Sequence, residues 1–272
     1  MLMMISPAKT LDYETPVPTA LAKKATEPLF LAPAAELIGV LRKKSPRQVA
    51  RLMDLSDKLA QLNVERYAAW RPEHDPASSV AGPGGHTKPA VLAFDGDVYD
   101  GLQARSLKVA DLAWAQQHLV ILSGLYGALR PLDRVWPYRL EMGTALRTKR
   151  GKDLYAYWGD RVAEHLNERQ AGEAAPVIVN LASIEYGRAA LRKALRARVV
   201  DCAFEDWKGG GYKVISFFAK KARGLMARHL IEQRAASPQA MASFSAAGYA
   251  WDRGASDPDR WVFRRRVAET EA

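Results

Sequence analysis

Four apolar runs in this chain each lead directly into polar or glycine-rich sequence that could do chemistry. Ile5 leads into Ser6-Pro7-Ala8-Lys9-Thr10, and Phe94 into Asp95-Gly96-Asp97-Val98-Tyr99. Leu122 leads into Ser123-Gly124-Leu125-Tyr126-Gly127, followed by Arg130 and Asp133; Leu181 leads into Ser183, Glu185 and Tyr186. A lysine in such a place binds phosphate or attacks as an amine, a carboxylate moves protons, and arginines clamp anions. Beyond the carboxyl ends of parallel strands, loops carry such groups on a rigid support. If these ends gather, they form one polar cleft lined by Lys9, Asp97, Tyr99, Ser123, Arg130, Asp133, Arg139 and Glu141. Lys9, Asp97, Ser123, Asp133 and Glu141 are then the candidate catalytic groups, and Arg130 and Arg139 the anion clamps. Ordinary turn chemistry explains any one of these loops equally well, since Gly, Asp and Ser favour turns.

A second constellation is cationic. The net charge is +10, and from Tyr186 to Arg234 there are 12 basic against 4 acidic residues. A surplus this local suggests a binding face for a polyanion. A helical pattern over 218–234 places Phe218, Ala222, Leu225, Met226, His229 and Leu230 on one side. Lys220, Lys221, Arg223, Arg228 and Arg234 fall on the other, with Gly224 among them, where a phosphate could approach the backbone. A preceding helix expected over 184–198 adds Arg188, Arg192 and Arg196 at spacing four, with Lys193 beside them. Such cations give affinity and salt dependence but little sequence readout.

Familiar catalytic and cofactor signatures do not fit. No glycine-rich stretch precedes Gly-Lys-Ser or Gly-Lys-Thr, and Ser123 lacks the flanking glycines of a hydrolase elbow. The histidines (74, 86, 118, 165 and 229) have no metal-ligand spacing and Cys202 has no partner, so no metal or other cofactor is expected. One cysteine fits a reducing compartment, and no apolar stretch nears the roughly 18 residues of a membrane span. The expected place is the cytoplasm.

The elements that must position these groups read as interleaved strands and helices, hence an α/β (mixed) layered fold. Strands are expected at 1–5, 90–94, 119–122, 177–181 and 213–217, with weaker ones at 199–204 and 261–265. Ser45-Pro46-Arg47-Gln48 opens a helix with a serine cap, proline at the first position and a glutamine closing the capping box. Another helix is expected at 153–168. The stretch 71–89, with four prolines and three glycines, reads as a surface loop insertion. The tail after Val267 is expected to fray.

Several of these segments together resemble the bacterial YaaA family of peroxide stress resistance proteins. They are Ile5-Ser6-Pro7-Ala8-Lys9-Thr10-Leu11-Asp12-Tyr13, Phe94-Asp95-Gly96-Asp97-Val98-Tyr99, the run from Leu122 through Arg130-Pro131-Leu132-Asp133 to Gly143, and Ala219-Lys220-Lys221-Ala222-Arg223-Gly224-Leu225-Met226. The resemblance spans almost the whole chain. It implies one compact domain of unusual topology over 1–272: a mixed sheet with surrounding helices, a positively charged cleft and a helix-hairpin-helix element. It also implies binding of duplex or branched DNA and a role in limiting oxidative damage and intracellular iron. The hairpin element maps to 46–70, around Lys58, although the glycines usual in such motifs are missing there; Ser123–Gly127 is a second placement. DNA binding through Lys58, Arg188, Arg192, Lys193, Arg196, Lys220, Lys221, Arg223 and Arg228 ranks first. An enzyme or small-ligand protein acting on a nucleotide-like substrate in the strand-end cleft ranks second.

Overall fold

The computed structural model describes residues 1–72 and 87–266. Its frame is a mixed sheet of eight strands with helices around it. In chain order the strands are β1 (Leu2–Ile5), β2 (Leu119–Ser123), β3 (Gly127–Leu129), β4 (Val177–Leu181), β5 (Arg198–Lys208), β6 (Gly211–Lys213), β7 (Ala250–Trp251) and β8 (Arg260–Arg265). Their spatial order is β7-β8-β5-β4-β1-β2-β3, with β6 folded back antiparallel on β5. Strands β8, β5, β4, β1 and β2 run parallel, whereas β3 and β7 pair antiparallel at the edges. Parallel strands are covered on both faces and so read as continuous apolar runs; every residue of β1 and β2 is buried. The chain leaves β1 for β2 on one side and returns to β4 on the other. That reversal opens a crevice at the carboxyl ends of β1 and β4.

The helices are α1 (Leu31–Leu41), α2 (Pro46–Met53), α3 (Asp57–Ala69), α4 (Asp97–Leu102), α5 (Val109–His118), α6 (Leu154–Trp158), α7 (Arg161–Arg169), α8 (Ile184–Ala190) and α9 (Ser216–Glu232). The capping box at α2 forms as its sequence dictates: Gln48 N donates to Ser45 Oγ, and Ser45 N donates to Gln48 Oε1. Helices α2 and α3 are neighbours in sequence that pack on each other, joined by a short turn with Asp54 in the left-handed region (φ 50°). The alternative hairpin placement fails, because Ser123–Gly127 joins two antiparallel strands and not two helices.

Four expectations need correction. Residues Ala90–Ala93 form a helical turn, and only Phe94–Asp95 is extended. The run is short and apolar, a pattern that does not separate buried strand from buried helix; Ala and Leu favour the latter. The helix expected over 184–198 stops at Ala190, so Arg192, Lys193 and Arg196 lie in the connection to β5 and form no helical stripe. The helix expected over 153–168 breaks at Gly159, whose φ is +53°. Finally, the strand expected over 213–217 ends at Lys213, and α9 begins at Ser216. Most of 71–89 and the tail after Arg266 lie outside the described residues.

Buried titratable groups brace this frame. Lys88 has no exposed surface and pairs with Asp12 at 3.2 Å. His165 packs edge-on to Phe30 at 5.6 Å, beside Glu168; burial, then Arg169 and Arg130, holds its pKa down to about 4. In the unfolded chain a histidine titrates near 6.5, so below that pH the unfolded state gains a proton that the native state refuses. Stability is therefore expected to fall by about 2 kcal/mol between neutrality and pH 5. In a His165→Gln variant this part of the slope disappears, as urea unfolding at a series of pH values would show. Cys202 is buried with its Sγ 3.4 Å from Met241 Sδ, and burial pushes its thiol pKa up. A protonated, enclosed thiol is a poor partner for peroxide.

Candidate functional site at the carboxyl ends of β1 and β4

The crevice opened by the strand order is a cleft of about 430 Å³. Residues 6–10 from the end of β1, 95–98 at the start of α4, Glu141, Ser183 and Glu185 after β4, and Lys220 and Arg223 of α9 line it. Two serines stitch its floor: Ser183 N donates to Ser6 Oγ at 2.9 Å, and Ser6 Oγ lies 3.3 Å from Ser183 Oγ. Tyr99 is buried beneath, donating its hydroxyl to the Ser6 carbonyl at 3.1 Å. Burial, reinforced by Tyr138 and Tyr186, keeps that phenol well above its ordinary pKa and therefore protonated.

The charged groups alternate in sign. Lys9 is exposed and reaches Glu141 at 2.8 Å, and Arg139 approaches the same carboxylate oxygen at 3.5 Å. Lys220 lies 3.5 Å from Asp97. Glu185 accepts from Gly143 N at 2.8 Å. Arg223 is largely buried, which lowers its pKa although Cys202 and Asp201 oppose the effect. Its Nε is buried without a hydrogen-bond partner among the described residues.

Of the sequence candidates, Lys9, Asp97 and Glu141 line the cleft and Arg139 braces Glu141. The other candidates do not line it. Ser123 has no exposed surface; its Oγ accepts from Tyr126 N at 2.8 Å and lies 2.6 Å from Tyr138 Oη, closing the β2–β3 turn. Asp133 is buried, accepts from Thr26 Oγ1 at 2.6 Å and from Arg130 N at 2.8 Å, and pairs with the Arg130 guanidinium at 2.9 Å. Burial raises its carboxyl pKa, with Thr26 and Arg130 pulling it back. These three residues are bracing of the β3 side of the sheet. Ser6, Ser183 and Glu185 complete the cleft. Their sequence signal was the same one that marked Lys9: a polar residue within four positions of a strand end.

The cationic residues separate. Lys220 and Arg223 line the cleft, and Lys221 is exposed beside them without an ion pair among the described residues. Arg228 is held by the Leu102 and Gln103 carbonyls at 3.2 and 3.1 Å, by Ser106 Oγ at 2.8 Å and by Glu232 at 2.8 Å. Arg192 pairs with Asp160 at 3.3 Å, and Arg188 stacks on Tyr155 at 4.4 Å. Lys58, Lys193 and Arg196 are exposed and have no ion pair among the described residues. Gly224 does not face solvent. An added Cβ would sit 1.8 Å from the Val98 carbonyl oxygen, so the glycine serves the crossing of α9 over α4. Phe218, on the apolar side of the helical pattern, is 39% exposed.

Fold and cleft thus define a mixed α/β protein with a charged crevice at the switch point of its sheet. The family described as Peroxide stress protein YaaA matches residues 1–255, and the chain belongs to that family. It is 61% identical to a UPF0246 protein of Leptothrix cholodnii over 269 residues, which span 99% of this chain and 100% of the relative. A UPF0246 protein of Methylibium petroleiphilum is 59% identical over 98% of this chain and 100% of its own length. One from Bordetella avium is 56% identical over 98% and 100%. Among the described residues no helix is long and apolar enough to cross a membrane, and no cluster of three metal-ligating side chains occurs.

Proposed function

We propose that this member of the peroxide stress family binds DNA in the cytoplasm through the phosphate backbone, at the mouth of the strand-end cleft, with little sequence preference. One observation carries the reading. Lys220 and Arg223, from the most basic stretch of the chain, line the same cleft as Lys9, which comes from the opposite end of the sequence. Lys9, Lys220, Lys221 and Arg223 stand around one opening, where a phosphate would compete with Glu141 for Lys9 and with Asp97 for Lys220. Lys58, Lys193 and Arg196, exposed and without an ion pair among the described residues, would add phosphate contacts, whereas Arg188, Arg192 and Arg228 are already partly engaged. The α2–α3 pair carrying Lys58 is the place for a hairpin contact to backbone.

Neutralising four phosphates gives a slope of about −3.6 in log affinity against log salt, hence roughly a 100-fold loss between 50 and 200 mM salt. A Lys220→Glu, Lys221→Glu variant is expected to bind a labelled duplex at least about tenfold more weakly, with a slope shallower by about 2. Fluorescence anisotropy at several salt concentrations reads both quantities. A salt-independent affinity, or wild-type binding by the variant, would refute the reading.

A second reading has its own support: four carboxylates, Asp95, Asp97, Glu141 and Glu185, share the cleft with those cations. Backbone binding alone does not need them. They suit a nucleotide-like ligand whose phosphate meets Lys9 and Lys220 while Asp97 or Glu141 moves a proton. Full peroxide protection by a Lys9→Ala, Asp97→Ala variant would remove this second reading.

A further inference from the structure

The β5–β6 hairpin and the first turn of α9 carry a surface that the cleft does not use. Trp207 and Tyr212 face each other across the hairpin as a register pair, their rings edge to face at 5.0 Å. Tyr212 is 37% exposed, Val214 56%, Phe217 56% and Phe218 39%. Such clustered exposure costs solubility unless something covers it. Two arginines that stack on these rings are braced by carboxylates. Arg264 lies 4.4 Å over Tyr212 and pairs with Glu205 at 2.9 Å and Asp252 at 2.8 Å. Arg265 lies 4.4 Å over Phe218 and pairs with Asp206. The Tyr212 and Phe218 rings are therefore held in place by stacked, anchored guanidinium groups, and Phe217 packs edge to face on Phe218 at 5.6 Å.

Around them stand cations that are not neutralised. Lys208 and Lys213 flank the hairpin turn, and Arg266 lies 4.1 Å over Trp207. None has an ion pair among the described residues. Phe217 also precedes Lys220 and Lys221 by three and four positions, which places it on their side of α9. The platform thus adjoins the cleft mouth.

We propose that this surface stacks the bases of unpaired nucleotides in a nucleic-acid strand. Exposed rings take base faces of any sequence, and adjacent lysines and arginines take the phosphates between them. A protein partner of apolar character would find unpaired cations at the rim, whereas a polyanion with flat apolar faces matches both features. The inference stands apart from the proposed duplex site, since base faces are inaccessible in a stacked helix.

The probe is a labelled ten-nucleotide oligothymidylate, with an abasic oligomer of equal length and charge as comparison. Tyr212→Ser and Phe217→Ser, on separate elements, are each expected to weaken oligothymidylate binding about 10-fold, since each removes one stacking contact. Duplex affinity should change less than twofold in both. Preservation of the wild-type melting temperature in at least one variant keeps the comparison one of binding. Equal affinity for the abasic oligomer, or unchanged oligothymidylate binding in both variants, would overturn the inference. So would a concentration-dependent dimer in sedimentation that Phe217→Ser abolishes, because a second copy would then be the occupant. Loss of duplex binding in Lys220→Glu, Lys221→Glu tests the cleft alone, so the two ideas can fail separately.

Discussion

Gly224→Ala is expected to lower stability by about 3 kcal/mol, or roughly 6–12 °C in melting temperature, for a chain of this size. Helix propensity alone predicts the opposite sign, since alanine is favoured over glycine by about 1 kcal/mol inside a helix. Packing decides the matter. An added Cβ would lie 1.8 Å from the Val98 carbonyl oxygen and 2.8 Å from Leu102 N, both backbone atoms of α4. The reciprocal position, Gly101, would place a Cβ 2.1 Å from the Lys221 carbonyl oxygen. Backbone cannot rotate aside as a side chain can, so the two helices must separate. Because this crossing holds Asp97 beside Lys220, the same variant should also loosen the cleft and weaken whatever it binds. Gly39, in the last turn of α1, is the control. Nothing lies within 4 Å of its added Cβ, so Gly39→Ala should raise stability by about 0.5–1 kcal/mol. Thermal unfolding followed by circular dichroism compares the two. A stabilised Gly224→Ala would mean that α4 and α9 do not cross so closely.

Asp12→Ala is the second large effect, with an expected loss of about 3–5 kcal/mol. Lys88 is wholly buried, and burial lowers its pKa while Asp12 restores it. Removing the carboxylate leaves a buried ammonium with, among the described residues, only the residue-12 backbone carbonyl as hydrogen-bond acceptor, and also releases Arg105, which pairs with Asp12 at 2.9 Å. Burial alone would raise the pKa of Asp12. Hydrogen bonds from Thr15 and the charge of Lys88 outweigh it and hold the carboxyl far below the usual range. The sign of the pH effect follows. The contribution of Asp12 is complete above the unfolded carboxyl value near 3.9 and is lost as the solution is acidified below it. Removing both charges with an Asp12→Asn, Lys88→Met double variant should recover part of the loss, because an apolar side chain of similar length suits the buried site. A double variant no better than Asp12→Ala would show that the pair contributes through shape rather than charge. Urea unfolding at neutral pH and near pH 3 measures each quantity.

Much of the frame was legible in the chain. Residues 177–181 are a strand with the expected bounds, and the capping box at Ser45 forms as its residues require. The whole-chain resemblance matched the family to which the protein belongs. The corrected elements are those where local pattern is ambiguous or tertiary space intervenes. Residues 90–94 are too short and too apolar to show a period. Arg188, Arg192 and Arg196 keep helical spacing in the sequence, but the chain must turn after Ala190 to enter β5. The aromatic platform was invisible because Trp207, Tyr212 and Phe217 belong to different elements and share no period.

The order of residues by itself determined which side chains stand at strand ends, how much positive charge the chain carries and where helices start, because these depend on near neighbours and composition. Only the tertiary structure decided which strand ends share a crevice. Lys9, Asp97, Glu141 and Lys220 meet there, whereas Ser123 and Asp133 are buried and, with the half-buried Arg130, brace the β3 side of the sheet. Sheet order causes that division: β1 lies between β2 and β4, and the chain's reversal across it is set by long-range packing that no local run of residues encodes.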